Sequence, residues 1–113
     1  MTKIFISLPM RGITTDAIRD EMDRIKSIFE PSIDDTIEII DTVFEEDIPE
    51  DCAQPSIYYL TKSLAKLAEA DLVIFHPLWR HAAGCMIEHA ICAMYNIPYF
   101  DLTDTFLDDD SQE

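Results

Sequence analysis

Basic residues are scarce in this sequence. Eight Lys and Arg stand against 23 Asp and Glu, which leaves a formal net charge of −15 over 113 residues. A surface of that charge repels the phosphate backbone of nucleic acids, so we expect no nucleic-acid partner. Long apolar runs are also missing, since no stretch approaches the ~18 to 20 residues that a membrane-spanning helix needs. With 48% hydrophobic residues the chain can still build a core, and we predict one globular domain with no membrane partner.

The three cysteines lack the spacing of a redox or metal motif. Cys52, Cys85 and Cys92 form neither a CxxC pair nor an even disulfide set. No charged-then-apolar leader precedes the first predicted strand, so a reducing cytoplasm is the expected compartment. Cys85 and Cys92 would share a helix face, but only His89 lies between them as a further ligand. Small buried thiols are the better interpretation, and we predict no metal and no other cofactor.

Hydrophobic patterning predicts that strands and helices alternate along the chain. Short apolar strands are expected at 3–8, 37–41, 71–75 and 96–100, and helices at 14–30, 56–70 and 84–95. Thr14, Thr15 or Asp16 is expected to cap the first helix, and Ser56 the second. This order is typical of an α/β protein with a parallel sheet and helices on both faces. We assign the domain to residues 1–101 and an acidic tail to 102–113.

Three predicted loops follow the strands and should meet at one edge of the sheet. They span 7–12, 41–46 and 76–84. Ligands of open parallel sheets bind at the carboxyl ends of the strands, so the functional residues are sought in these loops. Asp41 ends the second strand at this edge, where its carboxylate is suited to bind a hydroxyl group.

The first of these loops carries Arg11 and Gly12 just before a helix. A guanidinium beside a helix N-terminus suits an anionic group such as a phosphate. The loop has neither a Walker motif nor GxGxxG, so Arg11 is alternatively a surface residue or a partner for nearby carboxylates. Arg80 is the only other basic residue in the predicted strand-end loops, which favours a ligand contact.

The segment 79–89 is the densest cluster of chemically capable side chains. Glu88 is predicted near the start of a helix, where the macrodipole would lower its pKa and keep it ionised. Gly84 would let a ligand approach the turn closely, and Trp79 would offer a flat face to a base or sugar. The alternative interpretation is a stabilising helix-start glutamate with a half-buried tryptophan and a solvated histidine.

Three blocks of this sequence resemble the nucleoside 2-deoxyribosyltransferase-like proteins, and within that family a small, often phage-encoded group of unknown function. The blocks are IFISLPMRG at 4–12, ADLVIF at 70–75, and Trp79 followed by GCMIEHA at 84–90. The blocks stand in matching order, and the resemblance as a whole extends over nearly the whole chain apart from the acidic tail. The resemblance implies a flavodoxin-like, doubly wound sheet of about four to five strands that holds a nucleoside or nucleotide.

The resemblance also implies a mechanism and a site. Glu88 matches the family nucleophile, which attacks C1′ of the deoxyribose, releases the base and leaves an intermediate that water or a second base resolves. A 5′-phosphate would lie near Ser7, Arg11 and Gly12 and the backbone near Gly84. Together with the residues singled out above, the predicted substrate-binding residues are Ser7, Arg11, Gly12, Asp41, Trp79, Arg80 and Gly84.

Departures from the family pattern keep other functions open. Ser63 and Ala82 stand where active members usually or sometimes carry aspartate, and Ala83 stands where the small group tends to have arginine. General acid catalysis contributes ~10²- to 10⁴-fold, and His81 is the candidate substitute donor. An N-glycosidic enzyme is therefore the first hypothesis and a catalytically silent nucleotide-binding protein the second. The third is an acidic, phage-type interaction module that docks a basic partner or imitates nucleic acid.

Apolar helix faces on so small a sheet, together with the resemblance, predict self-association. A homodimer or a larger homo-oligomer is expected. The pattern does not identify which helix forms the interface.

Overall fold

Four strands and three main helices alternate along the chain. A computed structural model describes residues 1–44 and 48–103, and the other residues are not discussed. The strands are β1 (Thr2–Ser7), β2 (Ile37–Ile39), β3 (Leu72–Phe75) and β4 (Tyr99–Asp101). The helices are α1 (Thr15–Phe29), α2 (Pro55–Leu67) and α3 (Ala83–Tyr95), with short 3-10 helices at Glu30–Ser32 and Trp79–His81. Most of the predicted acidic tail, and part of the predicted loop 41–46, lie outside the described residues.

All four strands are parallel, in the order β2-β1-β3-β4. This confirms the predicted α/β fold and agrees with a flavodoxin-like, doubly wound arrangement. β1 pairs with β2 on one side and with β3 on the other, so the direction of winding reverses between β1 and β3. The crevice outside the carboxyl ends of these two strands is the place where such sheets bind ligands.

The two faces of the sheet carry separate hydrophobic cores. Side chains alternate across β1, so that Ile4 and Ile6 point to one face and Phe5 to the other. On the first face the core also includes Ile18, Met22 and Ile25 of α1 and Ile74 of β3. On the second face the core includes Val73, Phe75, Leu67 of α2 and Cys85 and Cys92 of α3. Helices therefore cover both faces, as predicted.

The helix starts differ in how they are capped. Thr14 caps α1 as predicted, because its side chain accepts a hydrogen bond of 3.2 Å from the N–H of Ala17. The predicted cap of α2 at Ser56 is wrong, since the helix begins one residue earlier at Pro55 and Gln54 holds the cap position. Proline suits the first turn because it has no N–H to leave unpaired and its φ is already helical.

The end of α3 explains the sharp turn into β4. Asn96 lies in the left-handed region with φ 57° and donates its N–H to the carbonyl of Cys92. Asparagine is among the few residues that tolerate this conformation, and it commonly ends helices this way. β4 begins at Tyr99, three residues later than the strand predicted to start at Asn96. Within residues 1–44 and 48–103, no helix has both the length and the apolar character needed to cross a membrane.

Candidate active site at the carboxyl edge of the sheet

A single buried carboxylate joins three elements of the fold. Glu88 lies in α3, points into the protein and is only 5% exposed. Ser7, the last residue of β1, donates its hydroxyl to Oε1 of Glu88 at 2.7 Å. Ser63, in α2, donates its hydroxyl to Oε2 at 2.6 Å. Both carboxylate oxygens are thus held by hydroxyl groups from different elements.

The surroundings of Glu88 act on its pKa in opposite directions. Burial raises the pKa above its ordinary value of 4.5, and the hydrogen bonds from Ser63 and Ser7 lower it, with a net rise. The predicted lowering by the helix macrodipole is therefore wrong. Glu88 is the sixth residue of α3, beyond the first turn in which the dipole acts, and its loss of solvent is the larger effect.

The thiols near Glu88 are not nucleophiles. Burial raises the pKa of Cys85 to about 11, opposed by a hydrogen bond with Ser7 and reinforced by the charge of Glu88. Burial likewise raises the pKa of Cys92 to about 11. Both thiols stay protonated at neutral pH, which agrees with the prediction of small buried cysteines, whereas Cys52 is only half-buried. The part of the chain that the structure describes contains no group of three or more His, Cys, Asp and Glu side chains placed to hold a metal ion.

Trp79 is built into an aromatic cluster beside α3. Its ring stacks on the imidazole of His89, with centroids 3.9 Å apart and planes 2° apart, and the guanidinium carbon of Arg80 lies 4.5 Å from the indole centroid. Nε2 of His89 lies 3.0 Å from a carboxylate oxygen of Asp101, at the end of β4. His89 therefore stacks on the indole that was expected to meet a base or sugar.

The loop after β1 keeps Arg11 on the surface. Gly12 adopts φ 78°, and the turn is closed by a hydrogen bond from the N–H of Ile13 to the carbonyl of Met10. Positive φ is easily adopted by glycine, so Gly12 is explained by the turn itself. Arg11 is exposed and has no hydrogen bond or ion pair within the described residues. Its guanidinium is thus available to an anionic ligand.

The other predicted site residues are not joined to Glu88. Asp41 pairs with Arg19 of α1 at 2.9 Å, and His81 is exposed in the 3-10 helix before α3. A Cβ added to Gly84 would meet only Leu60, at the ordinary contact distance of 3.9 Å, so packing does not require a glycine there. Sequence reasoning did not identify Ser63 as a partner of Glu88. Ser63 was noted only because it stands where active members of the resembled family usually carry aspartate.

A cavity of about 320 Å³ opens at the same edge, against α1. Its lining residues are Leu8, Pro9, Ile13, Ala17, Ile18, Glu21, His76 and Leu78. Sequence patterns did not single out Glu21 or His76, although Nε2 of His76 lies 3.1 Å from Oε2 of Glu21. The only available signal was the position of His76, directly after β3 in a loop predicted to reach the edge.

No protein-family model, curated protein or solved structure matches this chain.

Proposed function

We propose that this chain is a nucleoside or nucleotide N-glycosidic enzyme in which Glu88 is the nucleophile. The observation that carries the proposal is a buried carboxylate whose two oxygens accept hydrogen bonds from Ser7 and Ser63. Burying a carboxylate costs free energy, and carboxylates with strongly perturbed surroundings cluster at functional sites. Two hydroxyls also fix the orientation of the group, which favours attack along one direction.

The proposed reaction is a double displacement at C1′. One oxygen of Glu88 forms a bond to C1′ while the bond from C1′ to the base nitrogen breaks, and its electron pair leaves with the base. A proton must reach the departing base, and His81, on the exposed 3-10 helix next to α3, remains our candidate donor. Water then attacks C1′ and gives a proton back to the donor residue, while the bond from C1′ to Glu88 breaks, which releases the sugar and restores the carboxylate. Arg11, which lacks a partner within the described residues, is suited to hold a 5′-phosphate.

A second candidate is a protein that binds a nucleotide without turning it over. The burial of Glu88 favours it, because a nucleophile that is 5% exposed needs a movement of its surroundings before substrate can reach it. Glu88 does not line the cavity against α1. Ser63 also offers a hydroxyl where a carboxylic acid would supply a better proton donor.

Chromatography of free bases separates these two functions. Purified protein is incubated with deoxy- and ribonucleosides and their 5′-monophosphates, alongside Glu88→Gln and the matched surface variant Glu69→Gln. The enzyme hypothesis expects base release by wild type and Glu69→Gln, with a rate at least ~10³-fold lower in Glu88→Gln. Unchanged release in Glu88→Gln would contradict it. Thermal stabilisation by one nucleotide without release indicates the binding protein, and no response to any compound contradicts both functions.

We also propose that the chain forms a homodimer through the outer face of α3. The exposed residues of this helix are all uncharged, namely Ala83, Met86, Ile87, Ala90, Ala93, Met94 and Tyr95. Met94 and Tyr95 are 75% and 74% exposed. Two chains of net charge −15 repel each other, so a face without charge is where a second copy can approach with the least cost. Pairing there would cover the helix that carries Glu88.

A further inference from the structure

The cavity against α1 occupies the reversal point of the sheet. Leu8 and Pro9 follow β1, and His76 and Leu78 follow β3, so the cavity is bounded by the loops after the two strands between which the winding reverses. It is separate from the Glu88 site, because Leu8 packs with α1 whereas the neighbouring Ser7 turns to Glu88 on the opposite face. Open parallel sheets bind ligands at this crevice.

The walls of the cavity are apolar and its polar end is a single pair. Every lining residue other than Glu21 and His76 has an apolar side chain. Ligand pockets commonly enclose ~300 to 1,000 Å³ and combine an apolar wall with a few placed polar groups. A volume of about 320 Å³ therefore suits a small ligand with an apolar body.

Hydrogen bonding fixes the protonation of the polar pair. The N–H of Leu78 donates to Nδ1 of His76 at 3.1 Å. A backbone N–H can only donate, so Nδ1 carries no proton and the imidazole proton is on Nε2. That proton is directed to Oε2 of Glu21, 3.1 Å away, which accepts it. His76 is thus a neutral donor and Glu21 an anionic acceptor.

The charge of Glu21 is only weakly compensated. The ion pair between Glu21 and Arg24 is long, with Nη1 of Arg24 4.0 Å from Oε1 of Glu21. The side chain of Glu21 is half-buried, so a cation bound to it would be partly shielded from water. The net charge of −15 further favours the approach of a cation.

We infer that this cavity binds a small organic ammonium compound, whose charged nitrogen donates to Glu21 and whose apolar body packs against Leu8 and Ile18. The inference does not depend on the proposed glycosidic reaction, since Glu88 lies on the opposite face. A carboxylate that receives a neutral histidine donor can accept further N–H bonds from an ammonium group.

Titration with three probes of similar size but different charge tests the site. Benzylammonium, benzyl alcohol and benzoate are added to the full-length, isotope-labelled chain while backbone amide shifts are followed. Benzylammonium is expected to saturate shifts at Ala17 and Leu78 and to bind about tenfold or more tightly than benzyl alcohol, because a charged hydrogen bond is gained. Benzoate is expected not to bind.

Two variants distinguish a direct contact with Glu21 from the effect of the protein's net charge. Glu21→Gln keeps the shape of the side chain and the acceptor for His76 but removes the charge. The affinity for benzylammonium should therefore fall to that for benzyl alcohol. Asp20→Asn removes the same charge from an exposed position of α1 outside the cavity, and affinity should stay within about twofold. Equal weakening in both variants would show that only net charge matters and would overturn the inference.

A third variant tests the cavity without touching the charge. Ala17→Leu adds a bulky side chain to the wall, keeps helix propensity, and should abolish benzylammonium binding. Retained binding in this variant, equal binding of benzoate, or no saturable shift at these amides up to about 10 mM ligand would each reject the site. Amide spectra confirm folding of each variant, and Ala17→Leu still tests the site if Glu21→Gln does not fold. Base release is measured separately, so absence of glycosidic activity leaves this test unaffected.

Discussion

Helices α1 and α3 sort their side chains in opposite ways. In α1 the buried residues are Ile18, Met22 and Ile25, and most charged side chains lie at or near the surface. In α3 the glutamate at position 88 is buried, His89 is largely covered, and methionine, isoleucine and alanine are exposed. Stability alone favours the arrangement of α1, because burying a carboxylate and exposing apolar surface both cost free energy. The proposed Glu88 site and the proposed α3 interface would each account for part of this inversion.

The two carboxylates beside the strand ends repeat this contrast. Glu21 of α1 lines a cavity and contacts His76, whereas Glu88 of α3 is enclosed and meets two hydroxyls. A partly open anion is suited to bind a cation, and an enclosed, doubly oriented carboxylate is suited to attack carbon. Each of the following predictions probes one part of the comparison between α1 and α3.

The largest expected difference is in stability. Ile25 is fully buried against the sheet, so Ile25→Ala should lower the free energy of unfolding by about 2 to 5 kcal/mol. Met94→Ala removes an exposed side chain and should change it by less than about 0.5 kcal/mol when the chain is monomeric. Urea denaturation of both variants measures the difference. Equal losses would mean that the outer face of α3 is packed within the monomer.

A charge placed on α3 should weaken self-association. Met94→Lys would bury an ammonium group in the proposed interface, and we expect the dimer to dissociate about tenfold or more readily. The added positive charge lowers net repulsion between copies, so long-range electrostatics acts in the opposite direction. Ser27→Lys on the exposed side of α1 is the matched control and should leave association unchanged or slightly stronger. Sedimentation at several concentrations distinguishes the two, and dissociation caused equally by both variants would contradict an α3 interface.

The raised pKa of Glu88 predicts a specific dependence of stability on pH. Because the folded chain favours the protonated group, the contribution of Glu88 is fully present below its ordinary pKa of 4.5 and is lost as pH rises through the folded value. The unfolding free energy of wild type should therefore fall relative to Glu88→Gln as the pH rises above 4.5. Denaturation at a series of pH values measures this difference, with Glu69→Gln as the surface control. A rise instead of a fall would show that the serine hydroxyls outweigh burial.

The smallest effects concern the helix starts. Thr14→Ala removes the side-chain cap of α1 and should lower stability by about 1 kcal/mol. Ala82 holds the cap position of α3 and makes no side-chain hydrogen bond, so Ala82→Ser should raise stability by up to about 1 kcal/mol. Thermal or urea denaturation checks both. A loss of stability in Ala82→Ser would show that the start of α3 has no room for a cap.

Local patterns were enough to locate the elements and to identify the class of sheet. Apolar spacing located α1, Thr14 was one of three residues expected to cap it, and the alternation of strands with helices implied a parallel sheet. Local signals were insufficient where two of them competed. At the start of α2 a proline that suits the first helical turn precedes a serine that suits a cap, and the helix begins at Pro55 rather than after Ser56. For α3 both sides are apolar, so periodicity predicted a helix without saying which side faces inward.

Contacts between side chains far apart in the chain follow from the packing of the elements. Ser7 and Glu88 are 81 positions apart, and Glu21 and His76 are 55 apart, so no local pattern links them. Strand order and the placement of helices on each face bring these groups together. The pKa of Glu88 followed the same rule, because removal of water by the packed elements raises it, whereas the dipole of its own helix acts only within the first turn. Local propensity acts over a few residues, whereas burial and contact depend on elements far apart in the chain.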